Sequence, residues 1–208
     1  MNIRWYFDFI SPFAYLQWPK VRALAARQRV DFMPILFAGL LDRNGNKGPA
    51  EIPGKRLFTY RHVLWQAQQQ DLPLKFPPTH PFNPLPALRL CLAAGNSAEA
   101  IDAIFHWLWA EGRAADSLEA IAPLAAALGV ADPTQALAAA EVKNALRDNF
   151  ERAVAENVFG VPTLSVDGEL FWGNDAFAFA QAVIADPAIL SAPAMQALSA
   201  LPIGIARR

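Results

Sequence analysis

The sequence predicts an α/β fold in which two distant parts of the chain form one small sheet around a large helical insertion. A strand, a helix and a second strand are predicted within residues 1–40, and two strands followed by a helix within residues 157–190. Most of residues 55–156 carries helical patterns, and residues 191–208 form a C-terminal tail. This βαβ…ββα order predicts a discontinuous thioredoxin-like domain, residues 1–40 and 157–190, with residues 55–156 as an inserted all-helical domain.

The first βαβ unit follows from alternation and from a helix-start signal. Ile3, Trp5, Phe7 and Phe9 are separated by single residues, which is the period of a strand. Ser11 followed by a proline predicts the start of a helix, because serine caps helices and the fixed φ of proline suits the first helical position. This helix is expected to end near residue 28. The run "VDFMPILF", residues 30–37, predicts a second strand, and the short links predict a parallel pair.

The central part of the chain is predicted to be mainly helical. Residues 40–55, "LLDRNGNKGPAEIPGK", predict a turn-rich loop, and residues 71–86, with six prolines, predict an ordered irregular segment. Helices are expected at residues 87–94, 98–109, 118–128 and 141–156. Asp132, with Gln135 three residues later, is typical of a capping box at the start of a further short helix.

The second half of the sheet is predicted from a hairpin signature. Thr163–Val166 and Glu169–Trp172 flank the dipeptide Asp167-Gly168, which favours a two-residue hairpin turn. Asn174 or Asp175 is then expected to cap a helix over residues 176–184.

Composition argues against several classes of partner. The 18 basic and 19 acidic residues nearly cancel, and the absence of a dense Lys/Arg run argues against nucleic acid binding. No apolar run reaches the roughly 18 residues that a membrane span needs. The chain enters patterned sequence at once, without the features of a secretory leader, so we expect a cytoplasmic protein that does not bind membranes.

The cysteine and the histidines predict neither a metal site nor a disulfide. A lone cysteine, Cys91, forms no internal disulfide and is expected to be packed as a small apolar residue on a helix. His62, His80 and His106 lack the spacing of metal ligands or of a nucleophile and its base. We therefore predict no metal and assign these histidines to the surface or to packing.

Three motifs together resemble one enzyme family. "DFISPFAYL" (residues 8–16), "GNKGP" with "IPGK" (45–49 and 52–55) and "FGVPTLSVDGELFWGND" (159–175) are similar to segments of the 2-hydroxychromene-2-carboxylate isomerase family, which is related to kappa-class glutathione transferases and DsbA-type oxidoreductases. The resemblance covers essentially the whole chain. It implies a glutathione-dependent isomerase that acts on 2-hydroxychromene-2-carboxylate in naphthalene-type catabolism, and a homodimer.

The resemblance gives Ser11 the catalytic role. Redox relatives place Cys-x-x-Cys at the end of the first strand, where the helix N-terminus stabilises a thiolate. Residues 11–14 are Ser-Pro-Phe-Ala here, so a disulfide oxidoreductase is disfavoured. The sulfur is expected to arrive with glutathione, and Ser11 to donate its hydroxyl hydrogen to it. The alternative is that Ser11 only caps the helix.

The remaining glutathione-binding residues are also implied by the resemblance. Val161-Pro162 is expected to be a cis peptide whose Val161 backbone pairs with the cysteinyl part of glutathione. Asn174, with the helix N-terminus, and Asp175 are expected to hold the γ-glutamyl carboxylate and ammonium. Asn46 and Lys55 are assigned to the glycyl end.

A second substrate, a small aromatic or chromene carboxylate, is expected over the glutathione sulfur. Candidate residues for its pocket are Phe13, Phe37, Trp65, Phe82 and Asn83, although aromatic residues at helical spacing usually belong to a core. Two other functions remain open. A kappa-like glutathione transferase shares every motif, and a non-catalytic thioredoxin-like protein would bind peptides or small molecules only.

Overall fold

A four-stranded mixed sheet lies at the centre of the protein, and the computed structural model describes residues 1–205. Its strands are β1 (Ile3–Phe7), β2 (Asp31–Pro34), β3 (Thr163–Val166) and β4 (Glu169–Trp172), in the order β2-β1-β3-β4. β1 runs parallel to β2 and antiparallel to β3, which pairs antiparallel with β4. The predicted parallel pair and hairpin are confirmed, and this is the predicted thioredoxin-like arrangement.

Helices surround the sheet and fill the interval between β2 and β3. They are α1 (Pro12–Ala25), α2 (Phe37–Arg43), α3 (Pro53–Gln69), α4 (Leu85–Ala93), α5 (Ala98–Phe105), α6 (Leu118–Ala127), α7 (Pro133–Ala138), α8 (Ala140–Ala155), α9 (Phe177–Ala185) and α10 (Pro193–Ala197). A π-helical turn, His106–Ala110, extends α5. The helices predicted in the central region are present, and the proline-rich segment before α4 is irregular, as expected. Within the described residues, no helix has both the length and the apolar character needed to cross a membrane.

Local signals explain where the best-predicted elements begin and turn. Asp167 and Gly168 have φ of 50° and 95°, the positive values that a tight hairpin turn requires at both central positions. The Asp132 carboxylate accepts from the Gln135 N–H at 3.0 Å and caps α7. Both features depend on neighbouring residues alone, which is why sequence predicts them.

Both faces of β1 are buried, although its sequence alternates. Ile3, Trp5 and Phe7 join the main core with α1 and the inserted helices, whereas Tyr6 joins a second cluster with residues of α2, α8 and β2. Asp8, just beyond the strand, is also fully buried. The main core includes residues of both the sheet and the insertion, and the division of the chain into two domains stays a prediction.

Two local predictions are wrong. Residues 40–55 are not all loop, because α2 extends to Arg43 and α3 already begins at Pro53. Gly39 lets α2 approach α8 closely, since a Cβ there would lie 2.8 Å from the ring of Phe150. The second error concerns α9, whose N-cap is Ala176 without a side-chain cap bond, because Asn174 is engaged elsewhere.

Candidate active site

Ser11 lies at the N-terminus of α1 and is almost completely buried, with 7% of its surface exposed. Its Oγ accepts from the Ala14 N–H at 3.3 Å, so the predicted capping role is present. This contact uses an oxygen lone pair and leaves the hydroxyl hydrogen available. Among the described residues the N–H of Phe13 has no acceptor, and Pro12 has no N–H. The turn therefore offers an O–H and an N–H at the positive end of a helix.

The backbone that leads into Ser11 is held on both sides by buried side chains. The Asp8 carboxylate accepts from the Ile10 N–H at 3.1 Å and from the Phe37 N–H at 2.9 Å, which ties the turn to the start of α2. The Ile10 carbonyl lies 2.9 Å from His80 Nε2. The Trp109 indole donates to the Phe9 carbonyl at 2.9 Å. The insertion thus supplies two of the groups that fix the turn.

Asp8 has an unusual ionisation behaviour for an aspartate. Complete burial raises its pKa to about 7, against the opposing effect of the N–H groups of Phe37, Ile10 and Phe9. A carboxyl group that changes charge near neutral pH therefore lies three residues before Ser11. Asp8 was not among the predicted site residues, although it begins the motif of residues 8–16. Its signal was an acidic residue at the end of an otherwise apolar run, next to the candidate catalytic turn.

His80 is partly buried beside the same turn, and its hydrogen bonds indicate its tautomer. A carbonyl only accepts, so Nε2 carries the proton that is donated to Ile10. Nδ1 is then an acceptor and receives the Tyr60 hydroxyl at 2.8 Å. Burial lowers the pKa of His80, against the opposing effect of the Ile10 bond, and so favours this neutral form. His80 was predicted to be a surface or packing residue, and its contact with the turn was not predicted.

We expect Tyr60→Phe to destabilise the protein by about 1 to 2 kcal/mol, because it removes a hydroxyl that lies 2.8 Å from His80 Nδ1 and 2.9 Å from the His80 carbonyl. Urea unfolding of the variant and of the wild type measures the difference. Phe76→Leu is the control for simple loss of aromatic packing, since the Phe76 ring packs on Tyr60 without a hydrogen bond. An unchanged free energy of unfolding in Tyr60→Phe would show that these contacts of the hydroxyl do not stabilise the fold.

The Val161-Pro162 peptide bond is cis, as predicted. Tyr6 pairs with Thr163 in the antiparallel register, which places the two preceding residues alongside the end of β1, where the chain leads into Ser11. Within the described part of the chain, neither the N–H nor the C=O of Val161 has a hydrogen-bond partner. Sequence-distant residues of the candidate site, Ser11 and Val161-Pro162, are therefore brought to the same end of the sheet.

Asn174 is buried in a network that joins three elements. Lys20 Nζ of α1 donates to Asn174 Oδ1 at 3.0 Å, and Asn174 Nδ2 donates to Gln66 Oε1 of α3 at 3.0 Å. The buried Gln17 of α1 donates to the Gly173 carbonyl at 2.8 Å. Asp175 follows and is exposed. No sequence motif marks Gln17, Lys20 or Gln66, so their contacts with this loop were not predicted.

The residues assigned to the glycyl end are less closely connected to the rest of the site. Asn46 is exposed in the loop after α2, and Lys55 is exposed in the first turn of α3. Gly48, between them, donates to the Glu51 carboxylate and folds the loop. No hydrogen bond links Asn46 or Lys55 to the Ser11 turn among residues 1–205, so their joint placement stays a prediction.

The predicted pocket residues fall into separate groups. The rings of Phe13 and Trp65 each lie 6.2 Å from His62, so α1 and α3 share an aromatic cluster beside Ser11. Phe82 packs against His80, with ring centroids 6.1 Å apart. Phe37 approaches the site only through its N–H to Asp8 and packs in the second core cluster.

Asn83 and Cys91 have local structural contacts. Asn83 Oδ1 accepts from the Leu85 N–H at 3.1 Å, so this oxygen supports the start of α4. Cys91 is fully buried on α4, as predicted, and burial raises its pKa. Because Cys91 is the only cysteine, the chain offers no accessible thiol of its own. No group of three or more metal-ligating side chains occurs within the described residues.

Two surface clefts lie away from the candidate site. One measures about 390 Å³ and is lined by residues that include Arg22, Asp102 and His106, and the other measures about 410 Å³ and also includes Arg22 and Asp102. Arg22 is in the last turn of α1, eleven residues after Ser11, which corresponds to about 16 Å along the helix. The chemical groups described above, rather than the size of a cavity, therefore identify the candidate site.

Comparisons with known proteins identify the family of this chain. A family model described as the DSBA-like thioredoxin domain matches residues 2–185. A Sphingobium xenophagum protein named 2-hydroxychromene-2-carboxylate isomerase is 29% identical over 193 residues, covering 89% of this chain and 98% of that protein. Glutathione S-transferase kappa 2 of Caenorhabditis elegans is 23% identical, covering 89% of this chain and 92% of that protein.

The fold is also similar to that of a solved structure. A solved structure of a 2-hydroxychromene-2-carboxylate isomerase has a TM-score of 0.77 to this protein at 24% identity, covering 92% of this chain and 98% of that one. The predicted fold class and the resemblance drawn from the three motifs are thus confirmed. The chain belongs to the DSBA-like thioredoxin domain family.

Proposed function

We propose that this protein is a glutathione-dependent isomerase that interconverts 2-hydroxychromene-2-carboxylate and trans-o-hydroxybenzylidenepyruvate in the breakdown of naphthalene-type aromatics. The proposal rests on relatives that carry the names of this isomerase and of kappa glutathione transferases. It includes a cytoplasmic location and a homodimer. It assigns glutathione to the thioredoxin-like part of the chain, and the aromatic substrate to the space between that part and the inserted helices.

One observation carries the proposal: the turn before α1 presents a hydroxyl where redox relatives present a thiol. Ser11 and the free N–H of Phe13 lie at the positive end of α1, and the lone cysteine of the chain is buried elsewhere. Such a turn stabilises a sulfur anion that the chain itself does not supply. A thiol cofactor fits this arrangement.

The other groups of the site fit the peptide part of glutathione. The unpaired N–H and C=O of Val161 suit the cysteinyl backbone of a bound peptide, which would add to them as a short strand. The loop containing Asn174 and Asp175 suits the γ-glutamyl end, and Asn46 with Lys55 the glycyl carboxylate. Together these groups would supply a hydrogen-bond partner for each part of an extended glutathione molecule.

When bound, glutathione supplies a thiolate that adds reversibly to a conjugated enone and so permits rotation about its former double bond. Ser11 donates its hydroxyl hydrogen toward the sulfur, and the Phe13 N–H supports the same charge. Asp8 and His80 hold the peptide before Ser11 in place, so the donor is fixed before the substrate arrives. Phe13, Trp65, Phe82, Phe37 and Asn83 are the proposed lining of the substrate site.

An ultraviolet-visible time course of 2-hydroxychromene-2-carboxylate, with and without a catalytic amount of glutathione, tests the proposal. We expect the spectrum to shift toward the benzylidenepyruvate only when glutathione is present. A thiol assay at the end of the reaction is expected to recover all of the glutathione, because an isomerase does not consume it. A reaction without enzyme corrects for spontaneous interconversion.

Other outcomes would point to different functions. Loss of thiol as product forms would indicate a transferase, which the name of the C. elegans relative favours. Saturable quenching of tryptophan fluorescence by glutathione, with no turnover of this substrate, would contradict the isomerase but retain the cofactor site. Turnover or disulfide reduction without any added thiol would contradict the whole scheme.

A further inference from the structure

Lys20 places a positive charge beside the loop that follows β4. It lies in the third turn of α1, and its Nζ donates to Asn174 Oδ1 at 3.0 Å. The side chain is partly buried. An ammonium group has three hydrogens to donate, and the bond to a neutral amide oxygen does not neutralise its charge. The Lys20 ammonium is therefore held in place by Asn174 and still has hydrogens and a positive charge available for a ligand.

The same contacts fix the orientation of the Asn174 side chain. Its Oδ1 accepts from Lys20, and its Nδ2 donates to Gln66 Oε1. One amide hydrogen remains for a ligand, but it carries no net charge. Of the side chains in this network, Lys20 is the one with a positive charge to offer a ligand carboxylate, which is the role that the motif resemblance gave to Asn174.

Lys20 and Asp175 together form a pair of opposite charges at this loop. Burial lowers the pKa of Lys20, and the negative charge of the exposed Asp175 acts in the opposite direction. The α-carbon of a free amino acid carries a carboxylate and an ammonium, and the γ-glutamyl residue of glutathione retains both. Two adjacent groups of opposite charge are complementary to this zwitterion.

The distance along α1 also fits glutathione. Lys20 is nine residues after Ser11, which corresponds to about 13 Å along the helix axis. Helical side chains incline toward the N-terminus, so the Lys20 ammonium lies closer to Ser11 than its Cα does. The sulfur of glutathione belongs to its middle residue, and the extended chain from this sulfur through the γ-linkage to the γ-glutamyl α-carboxylate spans about 10 Å. A ligand with its sulfur at Ser11 can therefore reach Lys20 with its γ-glutamyl end.

We propose that Lys20 receives the α-carboxylate of the γ-glutamyl residue of glutathione, while Asp175 receives its α-ammonium. Asn174 and Gln66 hold the Lys20 ammonium in position. This inference rests on the proposed glutathione site, and it names a binding residue that none of the three motifs contains. The site would then be selective for peptides whose first residue keeps both its α-carboxylate and its α-ammonium.

Two synthetic tripeptides distinguish the contribution of the α-carboxylate to binding from that of the α-ammonium. Glutaryl-Cys-Gly keeps the carboxylate and lacks the amine, whereas 4-aminobutyryl-Cys-Gly keeps the amine and lacks the carboxylate. The dissociation constants of both peptides and of glutathione are measured by calorimetry for the wild type, Lys20→Met and Asp175→Asn. Arg22→Met, which removes a charge one half-turn further along α1, is the matched control.

We expect Lys20→Met to weaken glutathione and glutaryl-Cys-Gly about 10- to 100-fold and to leave 4-aminobutyryl-Cys-Gly unchanged. Asp175→Asn is expected to show the reverse preference, and Lys20→Arg to retain part of the affinity. Equal weakening of all three peptides by Lys20→Met, or no weakening, would overturn the inference while the glutathione site stands. Failure of the wild type to bind glutathione would overturn the proposed function as well.

Discussion

Ser11→Ala is expected to lower the rate of isomerisation about 100-fold or more while the fold and most of the glutathione affinity remain. The variant removes the hydroxyl hydrogen that we propose is donated toward the glutathione sulfur, but retains α1 and the Phe13 N–H. A thiol without that donor ionises closer to its ordinary pKa of about 8.5. The rate of the variant is therefore expected to rise steeply between pH 6 and 9, and that of the wild type to change less.

Initial rates at saturating glutathione, measured across this pH range, test the role of Ser11. The loss of the cap bond to Ala14 is expected to cost about 1 kcal/mol of stability, which urea unfolding measures separately. Ser97→Ala is the matched control, because Ser97 caps α5 through the same type of bond, to the Ala100 N–H at 3.2 Å. If Ser11→Ala kept the wild-type rate at every pH, Ser11 would be a cap only.

Asp8→Asn is expected to remove a large part of the pH dependence of stability. The folded state holds the Asp8 proton up to a pKa of about 7, whereas an unfolded aspartate releases it near 3.8. The folded state therefore binds more protons between these values, so the wild type loses stability as pH rises from about 4 to about 7. The shift corresponds to about 4 kcal/mol, and the loss is complete above the folded pKa.

Urea unfolding at pH 4.5, 6 and 7.5 measures this effect in the wild type and in Asp8→Asn. We expect the stability of the variant relative to the wild type to increase with pH, because asparagine does not titrate. Asp102→Asn is the control, since Asp102 is a partly exposed acidic residue whose pair with Arg22 lies outside the site. A constant difference between wild type and Asp8→Asn over this range would show that Asp8 stays ionised in the folded protein.

Short-range patterns were sufficient for much of the fold. The Ser11-Pro12 start of α1, the Asp132 cap of α7 and the turn at Asp167-Gly168 each depend on residues within a few positions. Alternation identified β1 without its partners. The helix α2 was missed because it is short and because its Leu40 packs in a cluster with residues such as Phe150, more than a hundred residues away.

The features of the candidate site also fall into those that local sequence predicts and those that depend on tertiary packing. The sequence by itself determined which residue stands at the start of α1, that the chain brings no reactive cysteine there, and that Val161-Pro162 precedes the hairpin. Only the tertiary structure decided that Asp8 is completely buried, that His80 reaches the Ile10 carbonyl, and that Lys20 and Gln66 hold Asn174. The reason is physical: a helix cap or a turn is satisfied by its neighbours, whereas the charge and hydrogen bonds of a buried side chain depend on packing between elements far apart in the chain.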